Sequence, residues 1–136
     1  METRFKEHLK KYNFDKNFEK LKRKLKNKKI IVYGTGLFFQ YIIKNYDLSS
    51  LNIIGVSDLK YGKDIEGKED FGYKVITREN IVNHNPDCVL FALENYFGII
   101  ESTHVAYLRN SNIKLLPICK RPIADLIKFI WKKGII

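Results

Sequence analysis

Cysteine and long apolar runs are both scarce in this sequence. The only cysteines, Cys88 and Cys119, lie in separate apolar runs without a C-x-x-C spacing. This pattern indicates buried thiols in a reducing compartment, so we expect a cytoplasmic protein. No stretch approaches the roughly 18 consecutive apolar residues of a membrane-spanning helix. The N-terminus, "METRFKEHLKKYNF", lacks the apolar core of a signal peptide.

The overall composition is that of a soluble globular protein. Apolar residues make up 45% and charged residues 29% of the 136 positions. This length suits one domain with its own core and is too short for two catalytic lobes. No internal repeat, low-complexity segment or linker divides the chain.

Acidic residues are few in the N-terminal segment. Residues 1–29 contain 12 Lys/Arg and 4 Asp/Glu, a net charge of +8, while the remaining 107 residues contain 13 and 11, a net of +2. Apolar residues recur there at three- and four-residue steps, which predicts one amphipathic helix or two short ones. We favour a solvated basic face over contact with a partner or an anionic membrane surface, and expect no nucleic acid. The apolar positions are Phe5, Leu9, Tyr12, Phe14, Phe18, Leu21 and Leu25.

Beyond residue 29, short apolar runs alternate with helical patterns. Continuous apolar strands separated by helices predict a parallel sheet covered on both faces. The predicted fold class is therefore α/β: a Rossmann-like three-layer domain with a parallel sheet and an added N-terminal helix. Its segments would be the basic helical segment 1–28, the nucleotide-binding core 29–120 and a C-terminal helix in 121–136. Strands are predicted at 29–33, 52–58, 74–76, 88–93 and 113–118, with a loop at 59–72 and helices at 36–46, 77–84, 96–109 and 122–133.

Two of these helices have further expected features. Thr77 is the predicted N-cap of the helix at 77–84, which Pro86 would end. In the helix at 96–109, the expected inward-facing residues are Ile99, Ile100, Val105 and Leu108.

The first strand ends in a Gly-x-Gly turn. In open parallel sheets, ligands bind beyond the carboxyl ends of the strands. This rule places the turn, the acid that closes the second strand and the segment 92–95 in one crevice. The first glycine would permit a tight turn, the second would let the backbone approach a pyrophosphate, and the acid would bond ribose hydroxyls. The predicted nucleotide-binding residues are Gly34, Thr35, Gly36, Leu37, Asp58, Ala92 and Glu94.

The third glycine of the dinucleotide-binding pattern is replaced by Phe39. An inward-facing phenylalanine would hold the helix away from the strand, which disfavours the tightest dinucleotide geometry but leaves the first two glycines intact. The alternative is that Gly34 and Gly36 only make a sharp turn in a sheet that binds no ligand.

A resemblance to a known family follows from the order of these segments. "KKIIVYGTGLFFQYIIKNY", "LNIIGVSD", "GYKVITRENIVNHNPDCVLFAL" and "NIKLLPI" resemble the nucleotide-binding domain of bacterial surface-polysaccharide biosynthesis proteins. The chain is similar to the Rossmann-like part of the nucleotide-sugar epimerase/dehydratase family, and to the UDP-sugar-binding N-terminal domain of sugar acyltransferases. The resemblance covers about residues 28–118 and implies NAD(P) or a nucleotide-sugar as ligand. Gly34, Thr35, Gly36 and Asp58 match its nucleotide-binding positions, and Phe39 departs from them.

Signs of catalysis are few. Short-chain dehydratases and epimerases use a Tyr-x-x-x-Lys pair, which we do not expect in this sequence, because Tyr41 has its lysine three positions on and Tyr107 has none in reach. The sequence contains no nucleophile elbow or Walker loop. A methyltransferase would carry an acid before the glycine turn, where residues 30–33 are Ile-Ile-Val-Tyr. The three histidines, His8, His84 and His104, have no ligand partner at metal-binding spacing, so no metal site is predicted.

Two classes of function remain. The first is a nucleotide- or nucleotide-sugar-binding domain in capsule or lipopolysaccharide assembly, which acts with a separate catalytic partner or as part of a larger enzyme. The second is a non-catalytic interaction module on a degenerate Rossmann fold. Because both glycines and the acid are present, we favour binding. The apolar tail with Trp131, Ile135 and Ile136 predicts a homodimer through the closing or the N-terminal helix; the alternative is that both ends pack on their own sheet.

Overall fold

A four-stranded parallel sheet with helices on both faces forms the centre of the protein. The computed structural model describes residues 2–132. Strand β1 pairs with β2 on one side and β5 on the other, and β6 pairs with β5, which gives the order β2-β1-β5-β6. The predicted α/β fold and its four adjacent parallel strands are confirmed. The strands are β1 Lys29–Tyr33, β2 Asn52–Ser57, β3 Glu69–Asp70, β4 Tyr73–Lys74, β5 Cys88–Phe91 and β6 Lys114–Pro117; the helices are α1 Glu2–Lys11, α2 Phe14–Lys24, α3 Leu37–Asn45, α4 Phe97–Thr103 and α5 Ile123–Lys132.

The two sheet faces carry separate apolar cores. Along β1, Ile30 and Val32 point to the face that α1, α2 and α3 cover, while Ile31 and Tyr33 point to the face of α4. Strands β1 and β5 are buried on both faces, as expected for the centre of a parallel sheet.

The basic N-terminal segment forms two helices. Its aromatic residues are core residues: Phe5 packs edge-on against Phe38 of α3, and Phe14 and Phe18 stack on each other at 4.9 Å. The predicted apolar stripe therefore faces the protein's own core. Ile135 and Ile136, which were expected to form an apolar tail, lie outside the described residues.

Asparagine ends several segments by adopting left-handed backbone geometry. Among residues 2–132, it occupies four of the five non-glycine positions with positive φ, and its short polar side chain makes this conformation less costly than for other residues. Asn13 separates α1 from α2, and the other three are Asn27, Asn85 and Asn110.

The segment predicted as a loop at 59–72 and a strand at 74–76 contains a small antiparallel hairpin of β3 and β4. Val75 then makes a parallel bridge to Val56 of β2. The hairpin places Phe71 against Phe39, with the ring centroids 5.6 Å apart. Phe39 is fully buried, so its expected inward orientation is confirmed.

The prediction of one helix at 77–84 is wrong. The structure has two 3₁₀ turns, Arg78–Asn80 and Val82–His84, separated by the buried Ile81. Thr77 makes no capping bond; its hydroxyl instead accepts from the Asn80 side chain at 3.3 Å. Side chains of this kind compete with helical bonding, and the following Pro86 restricts Asn85 to non-helical geometry.

The helix predicted at 96–109 divides into α4 and a π-helical segment, His104–Leu108. The wider π turn rotates the residues that follow it. Leu108 is buried as expected and Ile99 and Ile100 are partly buried, but Val105 is 52% exposed, so its inward assignment is wrong. None of the described helices has both the length and the apolar character needed to cross a bilayer.

Candidate functional site

The carboxyl end of β1 turns sharply at Gly34. This residue has a φ of 104°, and its N–H donates to the Ser57 carbonyl at 2.9 Å. A β-carbon here would lie 2.9 Å from Leu93 and 3.0 Å from the Ala92 carbonyl. Gly34 therefore packs directly against the segment that follows β5, as the sequence predicted for residues 92 and 93.

Asp58 anchors the turn. Its Oδ2 accepts the Thr35 backbone N–H at 2.7 Å and the Thr35 hydroxyl at 3.2 Å, and its Oδ1 accepts the Lys60 N–H at 3.0 Å. Thr35 is fully buried. The expected proximity of the turn and Asp58 is confirmed. A carboxylate has about four acceptor positions, so these three bonds leave one for a ligand hydroxyl.

The N-terminus of α3 is open above the turn. Gly36 is the N-cap residue of α3, so no side chain caps this end of the helix. A β-carbon built on Gly36 meets no atom within 4 Å. The N–H groups of the first helical turn have no acceptor within a helix. Leu37, the first residue of α3, is 54% exposed. The exposed Gly36 and the open space beside it give a phosphate room to approach these N–H groups.

Several side chains that the sequence analysis did not place surround this turn. Lys60 Nζ and Gln40 Nε2 both donate to the Thr35 carbonyl at 3.3 Å. The Tyr61 hydroxyl donates to Asp70 at 2.7 Å, and burial raises the pKa of Tyr61 to about 12. Lys60 lies two positions after Asp58 in the chain.

A second polar group lies on the α4 face of the turn. Burial raises the pKa of Tyr33, and the positive charge of Arg78 opposes that rise. The Arg78 guanidinium also lies 5.1 Å from the Tyr107 ring centroid. Alternation along β2 places Ser57 on this same face, and its hydroxyl is buried with no hydrogen-bond partner among the described residues. A buried hydroxyl without a partner beside the turn calls for a further group to bond it, such as a water molecule or a ligand.

Glu94, also predicted to bind the nucleotide, is engaged by the N-terminal helix. Its carboxylate, 16% exposed, accepts from the Arg4 guanidinium and lies 3.9 Å from Nδ1 of His8. Helix α1 therefore reaches the end of β5, a contact between residues about 90 positions apart that no local pattern signals. Gly34, Thr35, Gly36, Leu37, Asp58 and Ala92 come together at the turn, whereas the Glu94 side chain is bound to α1.

The thiols and a tyrosine–lysine pair lie away from this turn. Both cysteines are free and buried, and burial raises the pKa of Cys88 to about 11 and that of Cys119 to about 12. A Tyr-x-x-x-Lys spacing does occur at Tyr12 and Lys16, outside the predicted core. The left-handed Asn13 separates these two residues, and the Tyr12 hydroxyl donates to Asp125 at 2.8 Å. They therefore do not form the pair that short-chain enzymes use, which requires successive turns of one helix.

His8 gives a prediction about pH. Burial lowers its pKa; Glu94 opposes this effect, and Arg121, Lys11 and Arg4 add to it. Because the unfolded chain binds the proton more readily, we expect the free energy of unfolding to fall as the pH drops below the unfolded value of 6.5. Urea unfolding of the wild type and of His8→Gln checks this.

The variant should lose less stability over the same interval, since glutamine does not titrate. Equal losses in the two proteins would show that other groups cause the dependence.

In comparisons with known proteins, no protein family, curated protein or solved structure matches this chain. Within residues 2–132, no three potential metal ligands of the His, Cys, Asp and Glu type lie together. The structure itself shows a parallel sheet with helices on both faces and a glycine turn that is hydrogen-bonded to Asp58.

Proposed function

We propose that this chain is a nucleotide- or nucleotide-sugar-binding domain of bacterial surface-polysaccharide biosynthesis. It would act with a separate catalytic partner or as part of a larger enzyme. One observation carries the proposal: the Gly34-Thr35-Gly36 turn is fixed by Asp58 while the space above Gly36 stays open. The orphaned Ser57 hydroxyl near the turn supports it. The polysaccharide context rests on the resemblance of the segments quoted above.

The residues at the turn have distinct roles in this proposal. The free N–H groups at the start of α3 would bind the diphosphate, because the positive end of the helix dipole favours an anion. Lys60, whose ammonium donates to the Thr35 carbonyl, would add a positive charge beside the diphosphate. Asp58 would accept a ribose hydroxyl with its remaining acceptor position.

The test is ligand binding by thermal shift and calorimetry. The ligands are NADH, NADPH, UDP-N-acetylglucosamine and coenzyme A. A ligand at a hundredfold excess over its Kd stabilises the fold by about 2.7 kcal/mol. We expect NADH or the UDP-sugar to do so, and NADPH to bind more weakly than NADH because its 2′-phosphate would meet the Asp58 carboxylate.

Gly36→Val is the matched variant. Because a β-carbon at this position meets no protein atom within 4 Å, the ligand-free protein should still fold, with a loss of about 1 kcal/mol because valine is a poorer N-cap than glycine, while the added carbons should block the diphosphate. If the variant still binds the ligand, the turn is not part of the binding site. If none of the four ligands raises the melting temperature of the wild type, the interaction module becomes the better description. A preference for NADPH would overturn the role given to Asp58.

The closing helix leads to a separate prediction about assembly. Ile127 and Trp131 are 52% and 70% exposed and lie four residues apart, on one face of α5. Exposed apolar stripes of this kind are usually covered by a second molecule. We expect a homodimer through this face, with a light-scattering mass twice the 16.1 kDa of one chain.

Trp131→Glu should return the mass to that of one chain. Val82→Glu is the control, since Val82 is 42% exposed but lies far along the chain from α5. A wild-type mass near 16.1 kDa that does not change on dilution would contradict the dimer.

A further inference from the structure

A groove lined by positively charged side chains runs between α2 and the edge strand β6. Its α2 wall is one face of the helix, with Asn17, Lys20, Leu21 and Lys24 spaced at i, i+3, i+4 and i+7. The other wall is the end of β6 and the residues after it. Among the residues that the structure describes, five cations and no Asp or Glu line the groove: Lys11, Lys20, Lys24, Lys120 and Arg121.

Two of these cations are already compensated within the protein. Arg121 forms an ion pair with Asp125 at 3.1 Å, and the Lys11 ammonium lies 5.3 Å from the Tyr12 ring centroid. Lys20, Lys24 and Lys120 are exposed and form no ion pair with any carboxylate among residues 2–132. Like charges this close repel one another, and an anionic partner would relieve that repulsion.

The floor of the groove is apolar. Leu21, Leu116 and Pro117 are partly buried and line it together with the buried Ile118. An occupant that matches both the floor and the lysine rim needs an apolar stripe flanked by carboxylates. That pattern is typical of an acidic amphipathic helix lying in a groove.

The edge of β6 argues against an added strand. The N–H groups of Lys114 and Ile118 donate toward β5, so the alternate residues Leu115 and Pro117 face the open side. Proline has no N–H, which leaves Leu115 as the only outward donor within the strand. An incoming strand would find too few partners, whereas a helix that is recognised through its side chains needs none from this edge.

We propose that this groove binds an acidic amphipathic helix of a partner protein. The lysine rim attracts the carboxylates, and the apolar floor takes the hydrophobic stripe. The inference is independent of any nucleotide at the glycine turn, because none of the groove residues belongs to that site.

The test uses fluorescence anisotropy with the full chain and a designed peptide probe. The probe is a helix of about four turns, or about 14 residues, with leucines on one face and glutamates elsewhere. A scrambled peptide of the same composition removes the amphipathic face and keeps the charge. We expect micromolar binding of the first peptide and at least about tenfold weaker binding of the scrambled one.

Charge reversal at the rim gives the matched pair of variants. Lys20→Glu, Lys24→Glu and Lys120→Glu together should weaken binding by at least about tenfold, on the scale of several exposed ion pairs. The control reverses Lys63, Lys68 and Lys74, three exposed lysines in the segment that contains the hairpin, beside the opposite edge of the sheet. It changes the net charge equally and should leave binding unaltered. Leu21→Gln, which keeps every charge, should also weaken binding.

Several outcomes overturn the proposal. These are no binding of the probe, equal binding of the scrambled peptide, or equal losses in the two charge-reversed proteins. Vesicles with anionic lipids and duplex DNA serve as further probes. If either binds through the three rim lysines while the acidic helix does not, the groove has a different partner.

Discussion

Replacing Gly34 with alanine should lower the free energy of unfolding by about 3 kcal/mol. A non-glycine residue in a strained region of φ costs about 1–3 kcal/mol, and Gly34 has a φ of 104°. The new β-carbon would also lie 2.9 Å from Leu93 and 3.0 Å from the Ala92 carbonyl. The leucine side chain can turn away, but the carbonyl belongs to the backbone after β5. Denaturant unfolding measures the loss.

Gly67→Ala is the control for the backbone contribution alone. Gly67 has a φ of 80°, and a β-carbon there meets nothing within 4 Å. Its replacement should cost about 1 kcal/mol. The difference between the two variants then measures how tightly the glycine turn packs on the segment after β5. Equal losses would mean that this packing contributes nothing.

Replacing Gly55 with alanine should cost about 3 kcal/mol, at the upper end for overpacking a core. Gly55 lies in β2, where the chain after the hairpin crosses it closely. A β-carbon would overlap the end of the Ile76 side chain and lie 2.8 Å from the Lys74 carbonyl. The whole segment from Lys74 to Ile76 would have to move. Denaturant unfolding again gives the measurement.

A double-mutant cycle with Ile76→Ala identifies the cause. Removing the isoleucine side chain relieves one of the two overlaps, so the double variant should be more stable than the sum of the single losses predicts, by about 1 kcal/mol. The Lys74 carbonyl remains, so the relief is partial. Strictly additive losses would show that Ile76 does not oppose the new side chain.

The features that depend only on residues close together in the sequence were predicted correctly. The strands are short apolar runs with β-branched residues, and the glycine turn and Asp58 follow strand ends at recognisable spacing. The prediction was wrong where local geometry depends on the rest of the fold. Nothing near Val105 indicates the π-helical turn, and Ile81, which lies between the two 3₁₀ turns, packs into the core on the α4 face.

The parts of the candidate site that could not be predicted involve long separations in sequence. Arg4 meets Glu94 across 90 positions, and Arg121 donates to Asn95 across 26. Hydrophobic periodicity places α1 on the sheet but does not say which strand end it reaches. The nucleotide itself, the sugar and the catalytic partner remain predictions, since they rest on a pattern that several kinds of ligand share.

The position of β1 in the sheet has a consequence for how the chain folds as it is synthesised. Its partner β2 follows after one helix, whereas its other partner, β5, comes later in the chain, after the hairpin and three 3₁₀ turns. Loop closure favours the nearer strand, so we expect β1, α3 and β2 to assemble first. Until β5 is made, the other edge of β1 is an apolar strand with unpaired backbone groups, the kind of edge at which chains aggregate. That unpaired edge belongs to the strand that carries the glycine turn.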